Sequence, residues 1–185
     1  MSHTINEILD KYLNDEEQAK LHQKEIGRYW ASAIKDIRSK KITPENFFEP
    51  HKIEEKGLPI VFAGMMYEDA FTKILTKTKS PVQFQVKLEI PLSEEITIIS
   101  VIDYVFEKEG LETKKPLYPL NTIPERYKDQ LECEFRALGM QMYLGEFTSP
   151  FGLRRWKYEP NDIRWEEIKT LLREFDSELR KKNKK

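Results

Sequence analysis

The sequence predicts a mixed α/β domain, a sheet flanked by helices. Three observations carry this. Residues 82–90 alternate strictly between apolar and polar side chains, the two-residue period of a half-buried strand. Three strand patterns crowd together within 82–115, too clustered for a regular βα alternation. Helix-period stripes bracket them on both sides.

The elements follow in chain order. Residues 4–22 carry Ile5, Ile8, Leu9, Tyr12 and Leu13 on one helical face. A second helix is expected over 24–39, with Ile26, Trp30, Ala33, Ile34 and Ile37 turned inward. Thr43, Pro44 and Glu45 make a helix start that can open only a short helix, and 49–59 reads as a loop. A third helix is expected over 59–76, with Ile60, Ala63, Gly64, Tyr67, Ala70, Phe71, Ile74 and Leu75 in its pattern. After the strand at 82–90, residues 96–106 are apolar on both faces, as in a central strand. A third strand spans 110–115, a helix 124–140, and further strands 142–147 and 153–158. The closing helix covers 162–180, with Ile163, Ile168, Leu171, Leu172, Phe175 and Leu179 as its buried stripe.

Composition narrows the function classes. At 185 residues the chain suits one domain with a real core. Charged residues make up 34%, yet the net charge is −1, so charge alone does not point to nucleic acid. The last seven residues hold five bases and no acidic side chain, a tail expected to be disordered and solubilising. The lone Cys133 excludes an internal disulfide and cannot by itself ligate an iron–sulfur cluster. His3, His22 and His51 lack metal-ligand spacing. With no signal peptide and no apolar run of membrane-spanning length, the expectation is a cytoplasmic protein without a membrane partner, or one of the host cytoplasm if viral. The Lys-, Glu- and Ile-rich composition suits a thermophile.

The chemistry concentrates in the hairpin that joins the second and third strands. A turn centred on Lys108 and Glu109, with Gly110 supplying special backbone angles, sets the pairing. Val105 then faces Glu112, Tyr104 faces Thr113 and Asp103 faces Lys114. Asp103, Glu112 and Lys114 share one face and Thr113 points to the other. Two carboxylates and an ammonium so placed can hold a divalent cation and position a water against a phosphodiester. A one-residue slip would send the two halves to opposite faces. An ordinary cross-strand ion pair between Asp103 and Lys114 is the competing reading. Against it stand Val101, Ile102, Val105 and Phe106, which bury the strand and make an uncompensated Asp there costly.

Four segments in order resemble the PD-(D/E)XK nuclease superfamily, and most of all its RecB-like branch, which includes CRISPR-associated RecB-like exonucleases. They are Gly64-Met65-Met66-Tyr67-Glu68 on the helix before the sheet, Ile99-Ser100-Val101-Ile102-Asp103, Leu111-Glu112-Thr113-Lys114, and Tyr127-Lys128-Asp129-Gln130-Leu131-Glu132-Cys133-Glu134. The likeness covers residues 60–147. It departs from the family at Ser100, near where a Gly is usual, and at Glu134, where the RecB-type helix has Tyr. The resemblance implies a restriction-endonuclease-like mixed sheet flanked by helices. Residues 1–58 become a helical N-terminal extension, 59–160 the core, 161–180 the C-terminal helix and 181–185 a basic tail, all in one domain.

It also implies a site. Asp103, Glu112, Lys114 and Gln130 are the expected catalytic residues. Glu68, Asp103, Glu112 and the Thr113 carbonyl are the expected ligands of Mg²⁺ or Mn²⁺. Tyr127, Arg154, Arg155 and Lys157 are the expected nucleic-acid contacts, the last three because bases interleave with aromatics at 154–158. The activity implied is a DNA exonuclease. A non-cleaving nucleic-acid-binding protein of the same fold and an RNA-processing endonuclease stay open, and the N-terminal helices suit either a lid over the substrate path or a homo-oligomer surface.

Overall fold

The computed structural model describes residues 24–49, 58–148 and 152–184. The helix expected at 4–22, the three histidines and most of the loop at 49–59 lie outside the described residues.

A six-stranded mixed sheet forms the centre, and β3 (Thr97–Val105) is its hub. Along one edge β3 pairs antiparallel with β2 (Gln83–Pro91) over its whole length. Its other edge is shared. β1 (Arg28–Trp30) pairs parallel with Thr97 to Ile99, and β4 (Glu109–Lys114) pairs antiparallel with Tyr104 and Val105. Between these two partners, Ser100 to Asp103 face a fork in the sheet. β5 (Gln141–Thr148) extends the sheet parallel to β4, and β6 (Gly152–Lys157) closes it antiparallel. β3 is thus central, as its two-sided apolar pattern predicts.

The segment 24–39 is not one helix. It forms β1, a 3-10 turn (Ala31–Ala33) and the short α1 (Ile34–Arg38). Gly27 explains the break. Its φ is +86°, a Cβ there would lie 2.2 Å from the Glu95 carbonyl oxygen, and its own carbonyl accepts the Thr97 N–H at 2.7 Å. Pairing with β3 therefore overrides the helical spacing of Ile26, Trp30 and Ile34. Thr43 to Glu49 form hydrogen-bonded turns and no helix.

Helix α2 (Leu58–Lys77) packs loosely. Tyr67 and Phe71 stack against Phe147 and Tyr104, while Ile60 and Ile74 of the expected stripe stay exposed. Helix α3 (Glu125–Leu138) starts at Pro124 and stops at Gly139, whose φ of +67° ends it in the left-handed region. Helix α4 (Asp162–Asn183) opens with the Asn161 side chain accepting the Arg164 N–H at 3.0 Å. α4 absorbs most of the expected basic tail. Arg180, Lys181 and Lys182 occupy its last turn, where positive charge suits the helix dipole, and Lys182 pairs with Glu45. Ile163 of α4 is exposed, not buried.

Two cores hold the layers together. Tyr29, Ile34, Ile98, Cys133, Leu172 and Phe175 join β1, α1, α3 and α4. Ile102, Val105, Leu131, Met142 and Leu144 join the sheet to α3. Each such side chain contributes about 1.5–3 kcal/mol on burial. Among the described residues, no helix is long and apolar enough to cross a membrane.

Candidate metal-dependent active site

The β3–β4 hairpin differs from expectation by two residues. Tyr104 faces Leu111 and Val105 faces Gly110, and the Phe106 N–H donates to the Glu109 carbonyl at 2.8 Å to close the turn over Glu107 and Lys108. Gly110 is not the turn residue. It is a buried strand residue whose Cβ would lie 2.3 Å from Met142 Sδ and 2.7 Å from Leu138 Cδ2. Only a glycine lets β4 sit this close to β5 and α3. An even slip preserves which face each side chain takes. Carried one step further, the observed register sets Asp103 opposite Glu112 rather than opposite Lys114.

At Asp103 the hairpin splays, and the Asp103 side chain fills the gap. Its Oδ2 accepts the Thr113 backbone N–H and the Thr113 hydroxyl, both at 2.7 Å. Its Oδ1 accepts Gln85 Nε2 from β2 at 3.1 Å. Gln85 has φ +49°, an uncommon conformation for a non-glycine strand residue, which lies opposite Asp103. Glu112 is fully within the protein. Its Oε1 accepts Lys114 Nζ, and Gln130 Nε2 at 2.7 Å. Its Oε2 is buried with no hydrogen-bond partner. Burial, then the Asp103 charge, pushes the Glu112 carboxyl above the usual carboxylate range, against the lowering effect of Lys114 and Gln130.

Glu68 comes to the same place from α2. Burial and then Asp103 raise its carboxyl to about 7, while Lys114 and the Thr113 side chain work the other way. The backbone carbonyl of Glu68 accepts the Tyr104 hydroxyl at 3.1 Å, which ties α2 to β3 at this point. For Lys114, burial works to lower the pKa, but Glu112 and Asp103 outweigh it and raise it, so the ammonium stays charged. On α3, Gln130 Nε2 also donates to Glu134 Oε1 at 2.7 Å.

The structure therefore gathers Glu68, Asp103, Glu112, Thr113, Lys114 and Gln130 at the fork. Among the described residues, no three acidic, imidazole or thiol side chains form a ready-made metal cage. Mg²⁺ does not need one, since it keeps several waters beside one or two carboxylates. The donors here are all oxygen, and the unpartnered Glu112 Oε2 is an acceptor lacking what a cation would give it.

The expected nucleic-acid contacts lie elsewhere or are already engaged. β6 is an edge strand, separated from β4 by β5. Arg154 donates to the Leu120 carbonyl at 3.0 Å, Arg155 to Glu109 at 2.6 Å, and Lys157 pairs with Glu159 at 2.8 Å. Tyr127 is half-buried against the second core, with the Arg126 guanidinium 4.8 Å above its ring. The sequence did not single out a basic cleft closer by. Lys35, Arg38, Lys41, Arg126 and Arg164 line a cavity of about 350 Å³ together with Asp36, Glu125 and Asp129; Arg38 and Arg164 are paired with Asp129, and Lys35 lies near enough to Lys114 to feel its charge. No motif marks these residues, which come from three helices, α1, α3 and α4, and the loop after α1.

No family profile and no curated protein sequence matches the chain. Solved structures do. The crystal structure of SSO0001 superposes with a TM-score of 0.70 at 17% identity, over 94% of this chain and 85% of the other. An alkaline exonuclease (LHK-Exo) from Laribacter hongkongensis gives 0.62 at 16% identity, over 91% and 93%. The same exonuclease in complex with dAMP gives 0.61 at 17%. At these identities the likeness is one of fold, and the chain has a restriction-endonuclease-like fold.

Proposed function

We propose that the protein is a divalent-metal-dependent nuclease of the PD-(D/E)XK class, RecB-like, that hydrolyses DNA as an exonuclease. The observation that carries the reading is the buried, unpartnered Glu112 Oε2 at a fork where Asp103, Glu68 and Lys114 converge. The fold shared with an alkaline exonuclease supports it.

Asp103 and Glu112 would hold Mg²⁺ or Mn²⁺, aided by the Thr113 carbonyl and by Glu68. An ion held by these residues would supply charge screening at the phosphate and a more acidic water. Lys114 would orient or help deprotonate that water and stabilise the negative charge that develops on the phosphate. Gln130 holds Glu112. The substrate strand approaches over the basic cleft of Lys35, Lys41 and Arg126. The site works in the cytoplasm on single- or double-stranded DNA.

The test is digestion of end-labelled single- and double-stranded DNA with Mn²⁺. The reading expects cleavage by the parent and none by Asp103→Asn or Lys114→Ala. Undiminished cleavage by both variants would place the active site elsewhere. Cutting of closed circles would exclude a strict exonuclease, and a preference for RNA would make it an RNA-processing endonuclease. One observation favours a non-cleaving protein of this fold: Asp103 and Glu112 Oε1 already have internal donors. Absence of any Mn²⁺-induced stabilisation would support that reading.

A further inference from the structure

Glu134 stands where the resemblance puts a tyrosine, and its surroundings are not those of an ordinary helix-surface pair. It is 0% exposed, in the middle of α3. Its Oε1 accepts Gln130 Nε2 at 2.7 Å. Its Oε2 is buried and unpartnered, like that of Glu112 across the site. An amide nitrogen has two hydrogens, and Gln130 Nε2 spends both on carboxylates, Glu112 Oε1 from β4 and Glu134 Oε1 from α3, each at 2.7 Å. The two acceptors fix which end of the Gln130 amide faces Glu112. With one removed, the amide can turn and Glu112 loses a defined donor.

A buried carboxyl without full compensation is costly, so a purely structural role would be better served by an apolar residue. We infer that Glu134 is a positioning residue for the cation site: it locks Gln130, which holds Glu112 by Oε1 and leaves Glu112 Oε2 to face the cation. The inference rests on the nuclease reading above. Burial, then the Glu112 charge, raises the Glu134 carboxyl well above its usual range, so a glutamine there imitates its neutral form.

The experiment titrates Mn²⁺ into the metal-free protein and follows thermal unfolding, for the parent, Glu134→Gln, Glu134→Ala and Glu134→Leu. Leu is close in volume and keeps the test alive if the Ala variant does not fold. Glu134→Leu is expected to melt near the parent without metal, because it removes an unpaired buried oxygen but also the acceptor of one Gln130 hydrogen. Its half-saturating Mn²⁺ concentration is expected to rise by about 10-fold, the scale of a lost outer-shell partner. Glu134→Gln is expected to stay near the parent. On end-labelled DNA, kcat falls in the Leu variant and KM does not change, because Glu134 does not touch the strand. Unchanged Mn²⁺ affinity in both the Ala and Leu variants, whatever their melting temperatures, would overturn the assignment while leaving the nuclease reading standing. A parent that Mn²⁺ does not stabilise would overturn both together.

Discussion

Helix α3 borders two sets of buried acids, and the protein treats them in opposite ways. On one side, Asp129 accepts from Arg38 Nε at 2.7 Å and Arg164 Nη1 at 2.6 Å. Glu132 accepts from Arg136 at 2.8 Å, the Tyr158 hydroxyl at 2.5 Å and the Asn161 N–H at 2.9 Å. Every carboxylate oxygen has a donor, and these contacts clamp α3 to α1, to α4 and to the end of β6. On the other side, Glu134 and Glu112 each keep a buried oxygen with no partner, and one lysine serves the whole group. Burial alone therefore does not mark a functional acid. Under the proposed nuclease reading the difference lies in compensation: Glu112 and Glu134 each lack a donor of the kind that Glu132 has at both oxygens.

The sharpest break of this contrast is at the undercompensated side. Asp103→Asn or Lys114→Ala should lower Mn²⁺-dependent DNA cleavage by about 10²–10³-fold or more, the scale of a lost transition-state charge contact. Asp103→Asn is the cleaner variant, since Asp103→Ala would also orphan the Thr113 N–H, at about 1–3 kcal/mol. Retained far-UV circular dichroism with lost cleavage is the expected signature.

The opposite signature belongs to the clamped side. Glu132→Ala leaves Arg136 and Tyr158 without their shared partner and should cost about 3–5 kcal/mol of stability, read as a lower urea midpoint. Residual cleavage per folded molecule should stay near the parent. A loss of cleavage larger than the loss of folded protein would erase the distinction between the two sides.

Acidity separates them next. Glu68 keeps its proton up to about 7 in the folded protein but releases it near 4.5 when unfolded. The folded state then binds more protons across that window, so metal-free stability should fall as pH rises from about 4.5 to 7. Glu112 and Glu134 act with the same sign. Urea midpoints at pH 5 and pH 8 measure the slope, and Glu68→Gln should flatten it. A midpoint that rises with pH would mean these acids are compensated after all.

The smallest effect expected is at the edge. Arg155→Ala removes a half-exposed pair with Glu109, worth roughly 0–1 kcal/mol, and should change DNA affinity little if the strand runs over the Lys35 cleft. Lys35→Ala should weaken binding more, and a fluorescence-anisotropy titration compares the two.

Much of this arrangement was legible in the residues. Alternation at 82–90, the two-sided apolar run ending in Asp103 and the Glu-x-Lys strand placed the sheet and the acids. What failed did so because contacts distant in sequence decided it. Gly110 looked like a turn residue because turns favour glycine, but its job is to let Met142 approach, a contact between residues far apart in sequence. The expected helix at 24–39 had the right spacing, yet a long-range pairing with Thr97 to Ile99 took its first turn. Glu134 looked like half of an ordinary i, i+4 polar pair, because spacing reveals the neighbour and not the burial. Gln85 gave no sign at all, since its positive φ comes from the sheet around it.

A crystal grown in Mn²⁺ and measured at the manganese absorption edge addresses the central claim most directly. An anomalous peak is expected at the fork, against Glu112 Oε2 and beside Asp103, with Lys114 still within reach of it. A saturated crystal with no peak there, or with manganese bound only at surface carboxylates, would contradict it.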